Sequence, residues 1–345
     1  MSEVLVEARG HAGVITLDRP KALNALTHDM IRAIDAALDR FEADPAIAHV
    51  VIRSASPKAF SAGGDIRALV DWIRAGDFAT IDRFYRDEYR LNQRIKRCPK
   101  PYVALIDGIV MGGGVGVSFH GARRIASEKL VFAMPEVGIG FFPDVGATFF
   151  LPRLPARAGL HLALTGARVG LADAIDLGLA TDHVPSAAHE ALLLDLADSR
   201  ETDAIIARHA IPAGTGPLLA GRATLERLYG HPTLAGALAA IADDSSDLAA
   251  EIRAILPARS PTSIAIAWRQ MIEGLSLDFE GCMRLEYRIV TRLVRGPDFP
   301  EGVRALILDK DNLPRWSPAR IEDVDLAVVD AHVAPLPGGD LEFDR

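Results

Sequence analysis

Two cysteines in 345 residues, Cys98 and Cys282, are too few for a disulfide scaffold. Neither has a Cys or His neighbour at zinc-ligand spacing. Both are expected to be core thiols, and a reducing cytoplasm is the expected compartment. No apolar run reaches the roughly 18 residues of a membrane-spanning helix, and no basic-then-apolar leader is expected at the start. Positive charge is also scarce: 38 Lys and Arg against 46 Asp and Glu leave a net charge of −8. That balance argues against a nucleic-acid partner, although single basic residues such as Arg19, Lys21, Lys58, Lys129, Lys310 or Arg315 could each meet one phosphate. The Gly-x-Ser-x-Gly elbow, the His-Glu-x-x-His helix and the Cys-x-x-Cys pair are all missing, so neither a serine nucleophile nor a metal is expected. A dinucleotide fingerprint fails as well, because Val117 stands where its last glycine belongs. No cofactor is expected.

The residues present alternate between two periods. Val4-Leu5-Val6-Glu7-Ala8 and Val14-Ile15-Thr16-Leu17, joined through Gly10 to Gly13, read as a hairpin. Thr27 then caps an amphipathic helix carrying Met30, Ile31, Ile34, Leu38 and Phe41, which closes near Asp44-Pro45. A strand at Val50-Val51-Ile52, a loop from Ser54 to Gly64, helical segments from Ile66 to about Cys98, a strand from Tyr102 to Ile109 and a further helix follow. Strands alternating with helices imply an α/β core. From about Ala187 the pattern turns helical: Ala187–Ala197, Asp203–His209, Ala223–Tyr229, Leu234–Ala242, Asp247–Ile255, Thr262–Glu273 and Glu280–Val294. Pro212 to Pro217 reads as a flexible connection and Pro335 to Gly339 as irregular tail. The division expected is a core over residues 1–200 holding the active site, and a helical region over 201–345.

Chemistry concentrates in four segments. Met111-Gly112-Gly113-Gly114 follows the apolar run Val103 to Ile106, so a strand can turn abruptly into a helix and leave bare N–H groups. Ala62-Gly63-Gly64-Asp65 offers a second set of donors from another loop. Two backbone donors of this kind stabilise a developing oxyanion on an acyl carbonyl, at about 3 kcal/mol each. Met134-Pro135-Glu136 is flanked by apolar sequence, so Glu136 is expected to be partly desolvated with a raised pKa. Asp144, in Phe142-Pro143-Asp144-Val145-Gly146, is either a second reacting carboxylate or the N-cap of a helix starting near Val145. Glu88, within Tyr85 to Arg90, reads by itself as a solvated charge. His120, in an apolar stretch, reads as a structural residue.

Taken together, Ala62-Gly63-Gly64-Asp65, Met111 to Gly116 and Phe132 to Glu136 resemble the crotonase (enoyl-CoA hydratase/isomerase) superfamily. Within it the chain is most similar to the branch that hydrolyses hydroxyisobutyryl-CoA, through Arg86 to Tyr89, Lys100 to Gly108, Gly140 to Gly146, Phe150 to Leu154, Ser260 to Ser263, Glu286-Tyr287-Arg288 and Glu301 to Asp311. The likeness spans nearly the whole chain. It implies an α/β spiral of ββα units followed by a helical C-terminal region, which is expected to mediate homo-oligomer assembly. It implies an acyl-CoA thioester as substrate, with no membrane or nucleic-acid partner. By the family pattern the N–H groups of Gly64 and Gly113 hold the thioester oxygen, and Glu136 and Asp144 are catalytic. Glu88 contacts the substrate alongside Gly113, Glu136 and Asp144, while Leu23, Ala25, Ala62, Gly63 and Gly64 line the coenzyme. Hydratases of the family place a second glutamate where this chain has Gly116, and a glycine can neither hold nor transfer a proton. Hydrolysis of a short hydroxyacyl-CoA is therefore expected. An isomerase or lyase using Glu136 alone, or a non-catalytic acyl-CoA-binding protein, is the alternative.

Overall fold

The computed structural model describes residues 3–343; the outermost residues of the two stretches divided at 200 lie outside that range. The N-terminal hairpin forms as expected, with β1 (Val4–Arg9) antiparallel to β2 (Ala12–Leu17) and Arg9 opposite Ala12. Helix α1 (His28–Ala43) starts where the Thr27 hydroxyl accepts the Met30 N–H at 3.2 Å. It buries Met30, Ile31, Ile34, Leu38 and Phe41, the stripe that its period requires.

From there the chain repeats one move. β3 (His49–Ser54) enters a large sheet and β4 (Ala59–Ser61) a small one; α2 (Ile66–Arg74) and α3 (Phe78–Lys96) return the chain. β5 (Tyr102–Ile106) joins the large sheet and β6 (Ile109–Met111) the small one, followed by α4 (Gly113–Gly116). β7 (Arg123–Ala126) and β8 (Val131–Ala133) repeat the pattern. After α5 (Ala147–Phe150), α6 (Ala158–Thr165) and α7 (Leu171–Asp176), β9 (Asp182–His183) completes a six-stranded sheet of order β1-β2-β3-β5-β7-β9, beside a three-stranded sheet β4-β6-β8. Apart from the hairpin the large sheet is parallel. Both faces of such a sheet are covered, which is why Val103 to Ile106 is a continuous apolar run.

One expectation is corrected. The single strand from Tyr102 to Ile109 is two strands in different sheets, because Gly108 (φ 84°) turns the chain where a Cβ would lie 2.4 Å from the Lys58 carbonyl oxygen. The helical segments expected from Ile66 to about Cys98 are α2 and α3, which part at Ala75–Asp77, where Gly76 has φ 69°.

The C-terminal stretch is helical: α8 (His189–Asp198), α9 (Thr202–His209), α10 (Pro217–Ala220), α11 (Arg222–Tyr229), α12 (Leu234–Asp243), α13 (Asp247–Ile255), α14 (Pro261–Gly274), α15 (Phe279–Leu293), α16 (Asp298–Val303) and α17 (Leu326–Val333). No helix among the described residues is long and apolar enough to cross a membrane.

The chain forms two units, and both are discontinuous in sequence. The first takes the chain up to Asp65, then Asp87–Phe132 and Val169–Pro217; the second takes Ile66–Arg86, Ala133–Arg168 and everything from Leu218 onward. The sequence division at residue 200 was drawn on composition, whereas these units are drawn by packing. The core of the first unit runs through Val14, Val51, Val103, Leu105 and Ile125 to Leu192, Leu196 and Ile206, so α8 and α9 cover one face of the sheet. In the second, aromatic rings cluster: Phe141 lies 4.8 Å from Phe142, 5.0 Å from Phe299 and 5.9 Å from Tyr85 by centroid. Cys282 is buried as expected, but Cys98 is only half-buried. Burial pushes both thiols up, Cys282 to about 12, which disfavours the reactive thiolate.

Candidate active site

The predicted site residues fall into two groups, one in each unit. In the first unit Leu23, Ala25, Ala62, Gly63, Gly64, Glu88 and Gly113 occur together. Two loops are stitched side by side: the Ala62 N–H donates to the Leu23 carbonyl (2.9 Å), Leu26 N–H to Gly63 (2.8 Å) and Asp65 N–H to Leu26 (2.9 Å). The buried Asn24 amide braces them, donating to the Ser54 hydroxyl (2.7 Å) and the Phe60 carbonyl (2.9 Å). Arg19, one of the basic residues considered for phosphate, is instead paired with Glu3 (2.9 Å) and Asp65 (2.8 Å).

Each residue of the triple glycine has its own reason. Gly112 caps α4 with φ 46°. A Cβ on Gly113 would sit 2.8 Å from Glu88 Oε1 and 3.3 Å from the Gly64 nitrogen, and one on Gly114 would meet the Ser61 carbonyl oxygen at 2.6 Å. The loop after β4, the α4 N-terminus and Glu88 therefore converge, and only glycine permits it. Among the described residues neither the Gly64 nor the Gly113 N–H goes to a backbone acceptor. Gly113 opens the helix, where N–H groups have no intrahelical partner. Glu88 is buried rather than solvated. That overturns the reading of its charged stretch taken alone.

In the second unit Glu136 and Asp144 lie on consecutive turns. Glu136 opens a 3₁₀ turn, Glu136–Ile139, directly after Pro135. The Phe141 N–H donates to the Glu136 carbonyl (3.0 Å) and the Ser260 N–H to the Val137 carbonyl (3.0 Å). α16 is seated against the turn so closely that a Cβ on Gly302 would lie 2.4 Å from the Ile139 backbone. Asp298 at the head of α16 accepts from the Ser260 hydroxyl (2.5 Å) and the Ser317 N–H (2.9 Å), which ties α14 to α16 behind the turn.

The Glu136 side chain is 7% exposed, and its Oε2 has no hydrogen-bond partner among the described residues. Burial, and then the charge of Asp144, push its pKa well above the usual carboxylate value. This is the environment expected from the flanking apolar sequence. Asp144 is also buried. Its proposed alternative role as a helix cap does not match what is seen at α5. There the Ala147 N–H goes to the Asp144 backbone carbonyl (2.9 Å), while the Gly146 and Thr148 N–H groups donate to Glu286 on α15 at 2.8 and 2.9 Å.

Glu286 was not singled out as a functional residue from the sequence. A signal did exist: it is an acid on the apolar stripe of α15, between Cys282 and Met283 on one side and Ile289 and Val290 on the other. No group of three or more His, Cys, Asp or Glu among the described residues is placed to hold a metal. Chemically, the first unit offers two unspent N–H donors beside a buried carboxylate, and the second a raised-pKa carboxyl beside another. Those are the elements of acyl transfer or of proton transfer next to a carbonyl.

Comparison with known proteins agrees. The family model for enoyl-CoA hydratase/isomerase matches residues 12–333. The mitochondrial 3-hydroxyisobutyryl-CoA hydrolase of Rattus norvegicus is 42% identical over 352 aligned positions, covering 99% of this chain and 91% of the relative. That of Xenopus laevis is 43% identical, covering 98% and 90%. Among solved structures, a carnitinyl-CoA dehydratase from Mycobacterium thermoresistibile superposes with a TM-score of 0.94 at 38% identity, covering 100% of this chain and 99% of that one. An enoyl-CoA hydratase from Rhodobacter sphaeroides gives 0.93 at 41%, covering 99% and 100%. The fold is thus shared along the full length, and the chain belongs to the enoyl-CoA hydratase/isomerase family.

Proposed function

We propose that this protein hydrolyses 3-hydroxyisobutyryl-CoA to 3-hydroxyisobutyrate and free coenzyme A. The observation that carries the reading is the buried, unpartnered Oε2 of Glu136, held with a raised pKa beside Asp144, in a chain with glycine at position 116. Syn hydration of a double bond needs two carboxylates gripping one water, and Gly116 supplies none. The names of the solved structures point to dehydration or hydration and those of the curated relatives to hydrolysis; Gly116 favours the second.

In the proposed reaction the Gly64 and Gly113 N–H groups polarise the thioester carbonyl, and Glu88 helps select the hydroxyl-bearing acyl group. Leu23, Ala25, Ala62 and Gly63 line the coenzyme. Ionised Glu136 acts on the carbonyl carbon, directly or through a water that it deprotonates. The C–S bond breaks, Asp144 orients the β-hydroxyl or passes a proton to the departing thiolate, and one water is consumed. A single turnover in ¹⁸O-labelled water is diagnostic in one direction: label entering the Glu136 side chain reports a mixed anhydride opened at the Glu136 carbonyl. An anhydride opened at the acyl carbonyl and a general base both place the label in the product, and hydroxylamine trapping of an acylated Glu136 separates those two. Glu136→Gln is expected to lower thiol release by about 10²–10⁴-fold while a thioether analogue still binds. Near-normal turnover by that variant would remove Glu136 from the mechanism.

The reaction fits a step of valine breakdown in a reducing compartment such as the cytoplasm, and needs no cofactor. Self-association through the C-terminal helices is part of the proposal. It is checked by analytical ultracentrifugation, where a monomer at micromolar concentration removes it.

A further inference from the structure

The entry to α5 is a difficult piece of backbone. Val145, a β-branched residue, is held at φ 51°, and α5 itself has only four residues, too few to be stable by propensity. Something outside the segment must hold it. Both oxygens of Glu286 do so: Oε2 accepts the Gly146 N–H at 2.8 Å and Oε1 the Thr148 N–H at 2.9 Å. Gln270 on α14 adds a second grip, its amide donating to the Pro143 carbonyl and, at 2.7 Å, to the Thr148 hydroxyl. Asp144 is thus bracketed on both sides by contacts from helices more than a hundred residues later in the chain.

A local Asp or Ser normally caps such a turn. Here the task falls to Glu286, a fully buried carboxyl whose desolvation is costly. We propose that Glu286 is a positioning residue: by gripping Gly146 and Thr148 it fixes the direction in which Asp144 presents its carboxylate to the substrate. The inference rests on the reading of Asp144 as a reacting group. Burial and the neighbouring Asp144 charge also push Glu286 up to about 8.

Glu286→Gln keeps the shape but turns an NH₂ group toward one of the two N–H donors. The test is a double-mutant cycle of Glu286→Gln with Asp144→Asn on thiol release, together with hydrogen exchange of the peptide spanning residues 143–150. Expected are a kcat about 10²-fold lower with KM within about threefold, and a further change of less than about twofold once Asp144 is already Asn. Exchange at Gly146 and Thr148 should accelerate at least about tenfold. A kcat within about twofold of wild type, an equal loss in both backgrounds, or unchanged exchange overturns the proposal; an equal loss is what a merely structural residue gives. If Glu286→Gln does not fold, Gln270→Leu is read in its place, with faster exchange and lower kcat in the same cycle expected. Should the wild type release no thiol at all, the hydrolase reading falls, while the exchange comparison still decides the clamp.

Discussion

At the scale of single residues, the chemistry turns on a carboxyl kept neutral more readily than usual. In the proposed mechanism Glu136 must be ionised to act, yet burial and Asp144 both favour its protonated form. The acid limb of kcat/KM for thiol release should therefore titrate above the ordinary glutamate value of 4.5. Asp144→Asn removes the like charge, stabilises the Glu136 carboxylate and should move that limb to lower pH. A limb that stays in place would show that the two carboxyls do not interact. On the donor side, Gly113→Ala would bring a Cβ 2.8 Å from Glu88 Oε1 and 3.3 Å from the Gly64 nitrogen. Displacing one oxyanion donor is expected to lower kcat by about 10²–10³-fold. Far-UV circular dichroism and steady-state kinetics on that variant separate a lost donor from a lost fold.

At the scale of elements, the helices at the end of the chain hold the turns that carry the carboxylates. α16 packs on the Glu136 turn and α15 on the Asp144 turn. Gly302→Ala places a methyl 2.4 Å from the Ile139 backbone, so the turn must move. About 1–3 kcal/mol of stability should be lost by urea unfolding, with kcat falling more than tenfold and KM less affected. Unaltered kcat in a destabilised variant would mean that the turn tolerates the shift. Much of this architecture was legible in the sequence. The hairpin, α1 and most C-terminal helices follow from period and capping, and the glycine segments announce their turns. Less visible were β7 to β9, whose few residues, including Arg123-Arg124, carry no alternating signal. The corner at Gly108 was also hidden, since it depends on Lys58 lying against it. The role of Glu286 arises only through folding, because its partners are 138 and 140 residues away.

At the scale of the whole molecule, the same buried groups set how stability depends on pH. Glu286, raised to about 8, and Glu136 hold protons in the folded state that the unfolded chain has released, so stability falls as pH rises from about 4.5 toward 8. His161, lowered by burial to about 4 from 6.5, acts oppositely: its contribution is present above pH 6.5 and is lost on descent toward 4. Between about pH 6.5 and 8 the His161 contribution is complete while that of Glu286 still falls. The urea midpoint should decline across that window, and Glu286→Gln should decline less steeply; parallel curves would contradict the burial of an ionisable Glu286. The central claim, however, concerns the reaction. Purified protein incubated in parallel with 3-hydroxyisobutyryl-CoA and with crotonyl-CoA, with free thiol and enoyl absorbance followed together, tests it most directly. Rapid thiol release from the first, abolished by Glu136→Gln, with no change in the double bond of the second, is the result predicted; loss or migration of that double bond without thiol release contradicts it.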